Sequence, residues 1–121
     1  MTNRIAVVLV AILVAMPNIF GQGVPRETTQ RIPQFENDRV KVWKSVIVSG
    51  GPLTPHRHDH GRTIVALVGG DLKVVKESGQ TTVVHWETGK AYWLARDPPG
   101  ELHKDINDTG KTIEVMVVEM K

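Results

Sequence analysis

The chain has 121 residues, which is enough for one domain, with a formal net charge of +2 and no cysteine. Without cysteine there is no disulfide, no thiolate metal ligand and no cysteine nucleophile, so a bound metal must be held by nitrogen and oxygen atoms. The basic residues form neither a run nor a one-sided stripe. The composition therefore predicts no binding to nucleic acid.

Residues 1–23 have the order of residue types that is typical of a secretory signal peptide. Arg4 precedes an unbroken apolar run over residues 5–16, and a proline and the small residues Gly21 and Gly23 follow it. The alternative is an uncleaved membrane anchor. The run is shorter than the ~20 residues that span a bilayer as a helix, which argues against that alternative. We expect cleavage near Gly21–Gly23, a periplasmic or secreted product, and no stable membrane insertion after cleavage.

The mature chain is predicted to be all-β. Residues 24–38 contain two prolines and no apolar period, which indicates an irregular N-terminal arm. From residue 39 to 121, short β-branched and apolar runs alternate with Gly, Pro, Asn and Asp turns, and no sustained 3.6-residue period appears. The predicted strands are residues 40–48, 63–68, 72–76, 81–86, 91–95 and 112–120. This pattern predicts a single-domain sandwich or small barrel.

Four of the five histidines fall in two short segments. His56, His58 and His60 occupy alternate positions, and His103 follows a Pro-Pro-Gly turn. Residues two apart on an extended strand point to the same side, and converging imidazoles are good ligands for transition metals. His85 stands apart from them and is expected to be a surface residue. The concentration of histidines therefore predicts a metal site.

The two histidine segments resemble the two sequence motifs of the cupins. The first motif is represented by Gly51, His56-Arg57-His58 and Gly69-Gly70, and the second by Gly89 and Pro98-Pro99-Gly100-Glu101-Leu102-His103-Lys104-Asp105-Ile106-Asn107. The resemblance implies a single-domain cupin, which is a small double-stranded β-helix or jelly-roll barrel. Residues 35–40 and the histidine triplet are similar, more narrowly, to small type-2 cupins grouped with a β-alanine-degradation protein.

The resemblance implies that His56, His58 and His103 are metal ligands. The family carries a glutamate four or five residues after the second histidine, but this chain has Arg62 and Thr63 at those positions. No fourth carboxylate ligand is therefore carried over from the family. Three imidazoles leave coordination positions open for water or substrate, which is the condition for metal chemistry.

His60 has two open interpretations. It shares the parity of the other two histidines, so it replaces the missing ligand if the strand continues that far; alternatively, Gly61 ends the strand and turns His60 outward. His60 is also the one candidate for a catalytic acid or base outside the predicted ligands.

Two further residues are candidates for substrate binding. Arg62, if it points inward at the glutamate position, would form a forked contact with a substrate carboxylate; the alternative is an arginine on the barrel rim, paired with Asp59 or Glu87. Trp93 and Tyr92 point to opposite faces of their strand, so one of them is expected to line the interior. Trp93 is the candidate contact, although a lining aromatic residue more often packs in the core.

These observations lead to two principal hypotheses. The first is a metal-dependent enzyme, dioxygenase-like or an isomerase, that acts on a small, carboxylate-bearing molecule, with iron(II) as the first expectation and zinc, manganese, nickel or copper as alternatives. The second is a non-catalytic periplasmic module that binds a metal or a small ligand. A third hypothesis is a cupin without metal, and the intact second motif argues against it. A homodimer is expected, because the N-terminal arm can cover a sheet edge of a partner subunit.

Overall fold

A computed structural model describes residues 28–51 and 53–121, so the expected signal peptide over residues 1–23 lies outside the described residues. Eight strands make up the regular structure: β1 (Gln30–Glu36), β2 (Val40–Ile47), β3 (Arg62–Val68), β4 (Gly70–Lys76), β5 (Thr81–Trp86), β6 (Ala91–Leu94), β7 (His103–Ile106) and β8 (Ile113–Met120). No helix occurs in this part of the chain, and the all-β prediction is confirmed. In the described ranges, therefore, no helix has the length and apolar content needed to cross a bilayer.

The strands form two antiparallel sheets. The larger sheet has the order β1-β2-β8-β3-β6, and the smaller has the order β5-β4-β7. Strands β2 and β8 pair along their whole length, from Val40 opposite Met120 to Ile47 opposite Ile113. Because β2, β3 and β8 are rich in β-branched residues, they pair as the centre of the larger sheet, where such side chains pack best.

The core lies between the inner faces of the two sheets. Alternate residues of the central strands point inward, as the two-residue period of a strand requires. The buried core side chains are Trp43, Ile47, Ile64, Ala66, Leu72, Trp86, Ile113, Val115 and Val117. At one end of this interior the inward positions become charged, because Arg62 of β3 lies opposite Glu119 of β8. The apolar core therefore gives way to a polar end, and the site described below lies there.

Two strands were not predicted from the sequence. The arm that was expected to be irregular over residues 24–38 forms β1 from Gln30 to Glu36, so that expectation is wrong for these residues. A proline is tolerated here because β1 has β2 as its one strand neighbour in the described chain, and the pairing shifts register between Pro33 and Phe35. The second unpredicted strand is the mostly polar β7, which pairs with β4.

Asn107, the last residue of the second cupin-like motif, holds three segments together. Its side chain is fully buried, and its Nδ2 donates hydrogen bonds to the carbonyl oxygens of Ile47 at 2.8 Å and Lys111 at 2.6 Å. Its Oδ1 accepts a hydrogen bond from the backbone N–H of Thr109 at 3.1 Å. The side chain thereby connects the end of β2 to the turn between β7 and β8.

Replacing Asn107 with alanine is expected to lower the free energy of unfolding by about 2 kcal/mol, because it leaves buried backbone groups without partners. Urea unfolding monitored by tryptophan fluorescence measures this loss. Asn37→Ala is the matched control, since Asn37 also accepts two backbone hydrogen bonds but is exposed. Equal losses in the two variants would contradict a special role for the buried amide.

Candidate metal centre

A single β-bridge brings the two histidine segments together. The backbone N–H of His56 donates to the carbonyl of His103 at 2.8 Å, and the N–H of His103 donates back to the carbonyl of His56 at 2.9 Å. His103 is the first residue of β7, whereas His56 belongs to no strand. Residues 47 positions apart in the chain are therefore held side by side at the polar end of the barrel.

The imidazoles of His56, His58 and His103 converge. Their ring centroids are separated by 4.9 Å between His56 and His58, 4.6 Å between His56 and His103, and 5.7 Å between His58 and His103. One nitrogen of each ring lies within 4.8 Å of the corresponding nitrogens of the other two. This arrangement fits three nitrogen ligands around a common ion.

Hydrogen bonds orient the rings of His56 and His58. The Nδ1–H of His56 donates to the carbonyl of Thr54 at 2.7 Å, and the Nδ1–H of His58 donates to Oε2 of Glu119 at 3.1 Å. Because both acceptors are oxygens without protons, the ring proton belongs on Nδ1, and Nε2 keeps its lone pair. Such an acceptor behind the ring is typical of histidines that ligate metals.

Asp97 connects the two histidine segments, because it contacts both His58 and His103. Its Oδ2 accepts a 2.6 Å hydrogen bond from the backbone N–H of His58 and lies 3.5 Å from Nδ1 of His103. Its Oδ1 lies 4.0 Å from the Arg62 guanidinium. The carboxylate on the Nδ1 side of His103 favours the tautomer with a free Nε2. All three imidazoles therefore present Nε2 to the shared space.

Burial keeps the imidazoles of His56 and His58 neutral. Burial, the largest cause, and the positive charge of Arg62 together lower the pKa of His58 to about 4, against the opposing effect of its hydrogen bond to Glu119. Burial likewise lowers the pKa of His56, against the opposing effect of its bond to Thr54. A neutral imidazole has a lone pair that is ready to bind a metal near neutral pH, so the donor set fits a divalent transition metal.

Arg62 points into the barrel and away from the rim. It is 7% exposed, its Nη1 donates to the carbonyl of Ala95 at 3.3 Å, and with His58 and Asp105 it borders a cavity of about 40 Å³. The alternative pairing with Asp59 or Glu87 is wrong: those carboxylates pair with Arg57 and Lys90, each at 2.7 Å. An inward cation therefore occupies the position where cupins carry a glutamate.

His60 and Trp93 lie away from the three imidazoles. His60 is exposed in a bend before β3 and lies outside the group of three histidines. Of the two interpretations, the structure therefore agrees with the one in which His60 points outward. Trp93 is 61% exposed and pairs with the outward Thr63, while Tyr92 on the other face packs against the core. One of these two aromatic residues was expected to line the interior, and it is Tyr92; Trp93, the candidate substrate contact, lies outside. The Trp93 ring covers Gly61, where an added Cβ would clash with it.

Asp105 was not singled out from the sequence, although it lies two residues after His103 on the same face of β7. Its Oδ2 is 3.8 Å from Nε2 of His56, and its Oδ1 is 3.9 Å from Nε2 of His103. Burial raises the pKa of this carboxyl, while the neighbouring histidines oppose the shift. The available signal was the two-residue spacing from His103, the same rule that predicted the histidine cluster.

A surface groove of about 370 Å³ opens beside His58. It is bordered by residues of β1 and β2 and by the segment that carries His58, namely Arg31, Pro33, Gln34, Phe35, Glu36, Lys41, Val42, Trp43, Arg57, His58 and also Glu119 of β8. The guanidinium of Arg31 lies 5.4 Å above the ring of Trp43, within the range of a cation–π contact. The groove therefore gives a small molecule a route to the histidine cluster.

Two antiparallel sheets with three histidines clustered at one end define the class: a double-stranded β-helix protein with a candidate metal centre. Solved structures of this class resemble the chain. A cupin domain from Bordetella pertussis is 25% identical, with a TM-score of 0.68, and the match covers 82% of this chain and 99% of that one. A protein with a double-stranded β-helix domain from Klebsiella pneumoniae is 20% identical, with a TM-score of 0.57 and coverage of 77% and 76%.

The polyketide cyclase RemF from Streptomyces resistomycificus is also similar, at 27% identity and a TM-score of 0.50, over 69% of this chain and 56% of that one. No protein-family model and no curated protein matches the sequence. The chain is a small cupin, as its two motifs predicted. Its narrower similarity to the group with a β-alanine-degradation protein stays a prediction.

Proposed function

We propose that this small cupin binds a divalent transition metal through Nε2 of His56, His58 and His103, and binds a small carboxylate-bearing molecule beside it. The observation that supports this most directly is the convergence of the three imidazoles, one nitrogen of each lying within 4.8 Å of the others, with an oxygen on the Nδ1 side of each ring. Iron(II) is the first expectation for the metal, and zinc, manganese, nickel and copper also suit nitrogen and oxygen donors. Such an ion supplies a Lewis acid or an oxygen-binding centre.

The groove supports a carboxylate as the ligand's charged group. The Nε of Arg57 is buried and has no hydrogen-bond partner among the described residues, so it has a donor to offer to an incoming oxygen. Arg31 adds a second cation to the same groove. We assign carboxylate binding to these two residues because both border the groove, whereas Arg62 does not. The Nη2 of Arg57 also contacts Asp59 at 2.7 Å, so a bound carboxylate would share this guanidinium with Asp59.

Replacing Arg57 with methionine is expected to weaken the binding of small carboxylates to the metal-loaded protein by about 10-fold, since a charged hydrogen bond is lost. Calorimetric titration with a panel of aromatic and aliphatic monocarboxylates measures the effect. Arg96→Met is the control, because Arg96 is exposed and does not border the groove. An equal loss of carboxylate affinity in Arg96→Met would mean that any surface arginine attracts the carboxylate as well as Arg57 does.

An enzymatic role, dioxygenase-like or isomerase-like, is the first of two candidates. The named activity of RemF is that of a polyketide cyclase, which gives the enzymatic reading one enzyme among the similar structures. The alternative is a non-catalytic binding module. It is favoured by the position of His60, the predicted acid or base, which is exposed and away from the three imidazoles.

Metal analysis of protein purified without an affinity tag tests the proposal. We expect one divalent ion per chain and an increase in the melting temperature when the metal-free protein is reloaded. Protein that neither retains nor takes up any of the five metals would refute the proposed function. Oxygen uptake with a panel of small carboxylates, thiols and phenols then separates the enzymatic candidate from the binding module.

Export and dimerisation are part of the same proposal. The signal-peptide pattern of residues 1–23 supports a periplasmic or secreted protein. The outer position of β1 in the larger sheet, with Phe35 59% exposed on it, supports a homodimer in which this edge is covered by a partner subunit. A monomeric mass in solution would contradict the dimer.

A further inference from the structure

We infer that Asp105 is a fourth metal ligand. The carboxylate of the site would then come from β7, and not from β3 as the cupin resemblance predicts. This inference rests on the proposed metal binding by the three histidines. The cupin resemblance predicts a glutamate near position 62, where this chain has the inward-pointing Arg62. A carboxylate does border the site, but it comes from the strand that supplies His103.

Asp105 lies outside the group of three histidines whose ligand nitrogens are all within 4.8 Å of one another, but its distances allow it to approach an ion held by His56 and His103, with one oxygen facing each of them. Two ligand atoms that are each about 2.1 Å from one ion can be at most about 4.2 Å apart. The carboxylate oxygens of Asp105 lie 3.8 Å from Nε2 of His56 and 3.9 Å from Nε2 of His103, inside that limit. These are the two nitrogens whose lone pairs are free, because the Nδ1 atoms face Thr54 and Asp97.

The surroundings of the Asp105 carboxylate also favour a bound cation. Its side chain is 13% exposed, and the two imidazole nitrogens within 4.0 Å are both beyond hydrogen-bonding distance. No hydrogen bond to its carboxylate is formed within residues 28–51 and 53–121. The positive charges of Arg31 and Arg62 offset part of the cost of burying this carboxylate, and a divalent ion between it and the imidazoles would offset more of it.

The other carboxylates near the histidines have different partners. Glu119 accepts from Nδ1 of His58, and Asp97 accepts from the backbone N–H of His58. Both therefore stand behind the rings and orient them, whereas Asp105 faces Nε2. The geometry separates one carboxylate that can bind the ion from two that position its ligands.

Titration of cobalt(II) into metal-free protein tests this inference, because the visible absorption of cobalt(II) reports both affinity and coordination. We expect Asp105→Asn to lower the affinity at least about 10-fold and to change the visible spectrum. Asp108→Asn is the matched control: Asp108 lies three residues further on, is exposed and pairs with Lys73. It is expected to leave affinity and spectrum unchanged.

The melting temperature of the metal-free variants keeps a folding defect apart from a binding defect. Metal-free Asp105→Asn is expected to be at least as stable as the metal-free wild type, because a buried charge is removed, and to gain less stability on adding cobalt(II). Wild-type affinity and spectrum in Asp105→Asn would overturn the inference while leaving the three-histidine site intact. A wild-type protein that binds no cobalt(II) and no other divalent ion would overturn both.

Discussion

Replacing His103 with alanine is expected to weaken metal binding by about two orders of magnitude or more. Four-ligand zinc sites bind with about 10–16 kcal/mol, or roughly 3 kcal/mol per ligand, so the loss of one imidazole weakens binding by about 100-fold or more. His103 also faces two carboxylates, Asp97 and Asp105, and its removal leaves Asp105 with the imidazole of His56 as a neighbour at 3.8 Å. Metal analysis of the purified variant, and calorimetric titration of its metal-free form, measure the loss.

Two histidines outside the cluster provide matched controls. His60→Ala and His85→Ala remove the same ring from exposed positions, and both variants are expected to keep one ion per chain. His85 pairs with Asp71 on the surface of the smaller sheet. A loss in His60→Ala as large as that in His103→Ala would mean that His60 is a ligand and that the bend before β3 rearranges when metal binds.

The central strands of the fold could be predicted because their side chains have a distinct pattern. Strands β2, β3 and β8 combine β-branched residues with a two-residue alternation, and their boundaries were predicted to within a residue or two. Strands β1 and β7 have no such pattern. Pro33 interrupts β1, and β7 has one apolar residue, Ile106, so both owe their conformation to pairing with a neighbouring strand.

The histidine cluster was predicted for a reason that proved only partly correct. The alternation of His56, His58 and His60 suggested a strand, but the described residues between Ile47 and Arg62 form no strand, and a single bridge at His56 replaces it. His56 and His58 therefore converge without a strand, and His60 does not join them. Convergence with His103 depends on the second motif, which the family resemblance identified independently.

Glu119 and Asp97 could not be predicted as neighbours of the histidines, because strand register places Glu119 there and the loop after β6 places Asp97 there. Glu119 reaches His58 since β3 and β8 pair with Arg62 opposite Glu119, a register that the sequence does not specify. Asp97 lies 39 positions from His58, to which it is hydrogen-bonded. The inward direction of Arg62 has the same origin, since its parity on β3 matches that of the core residues Ile64 and Ala66.

The burial that prepares the imidazoles for a metal also makes the metal-free protein sensitive to acid. A histidine with a lower pKa in the folded than in the unfolded state takes up a proton preferentially when unfolded. Stability is then complete above the unfolded value of 6.5 and is lost as the pH falls towards the folded value of about 4 for His58. His56 contributes in the same direction, whereas Asp105, whose pKa is raised, regains stability as it is protonated and offsets part of the loss.

We therefore expect the metal-free wild type to lose about 3 kcal/mol of unfolding free energy between pH 7 and pH 4 through His58 alone. Urea unfolding in the presence of a chelator, repeated across this range, measures the slope. His58→Gln is expected to flatten the dependence because glutamine does not titrate, and the exposed His85→Gln is expected to leave it unchanged. If His58→Gln and the wild type lost stability in parallel, protonation of the buried imidazole would not be the cause, and the same neutral ring could not be the reason that Nε2 is available to a metal at neutral pH.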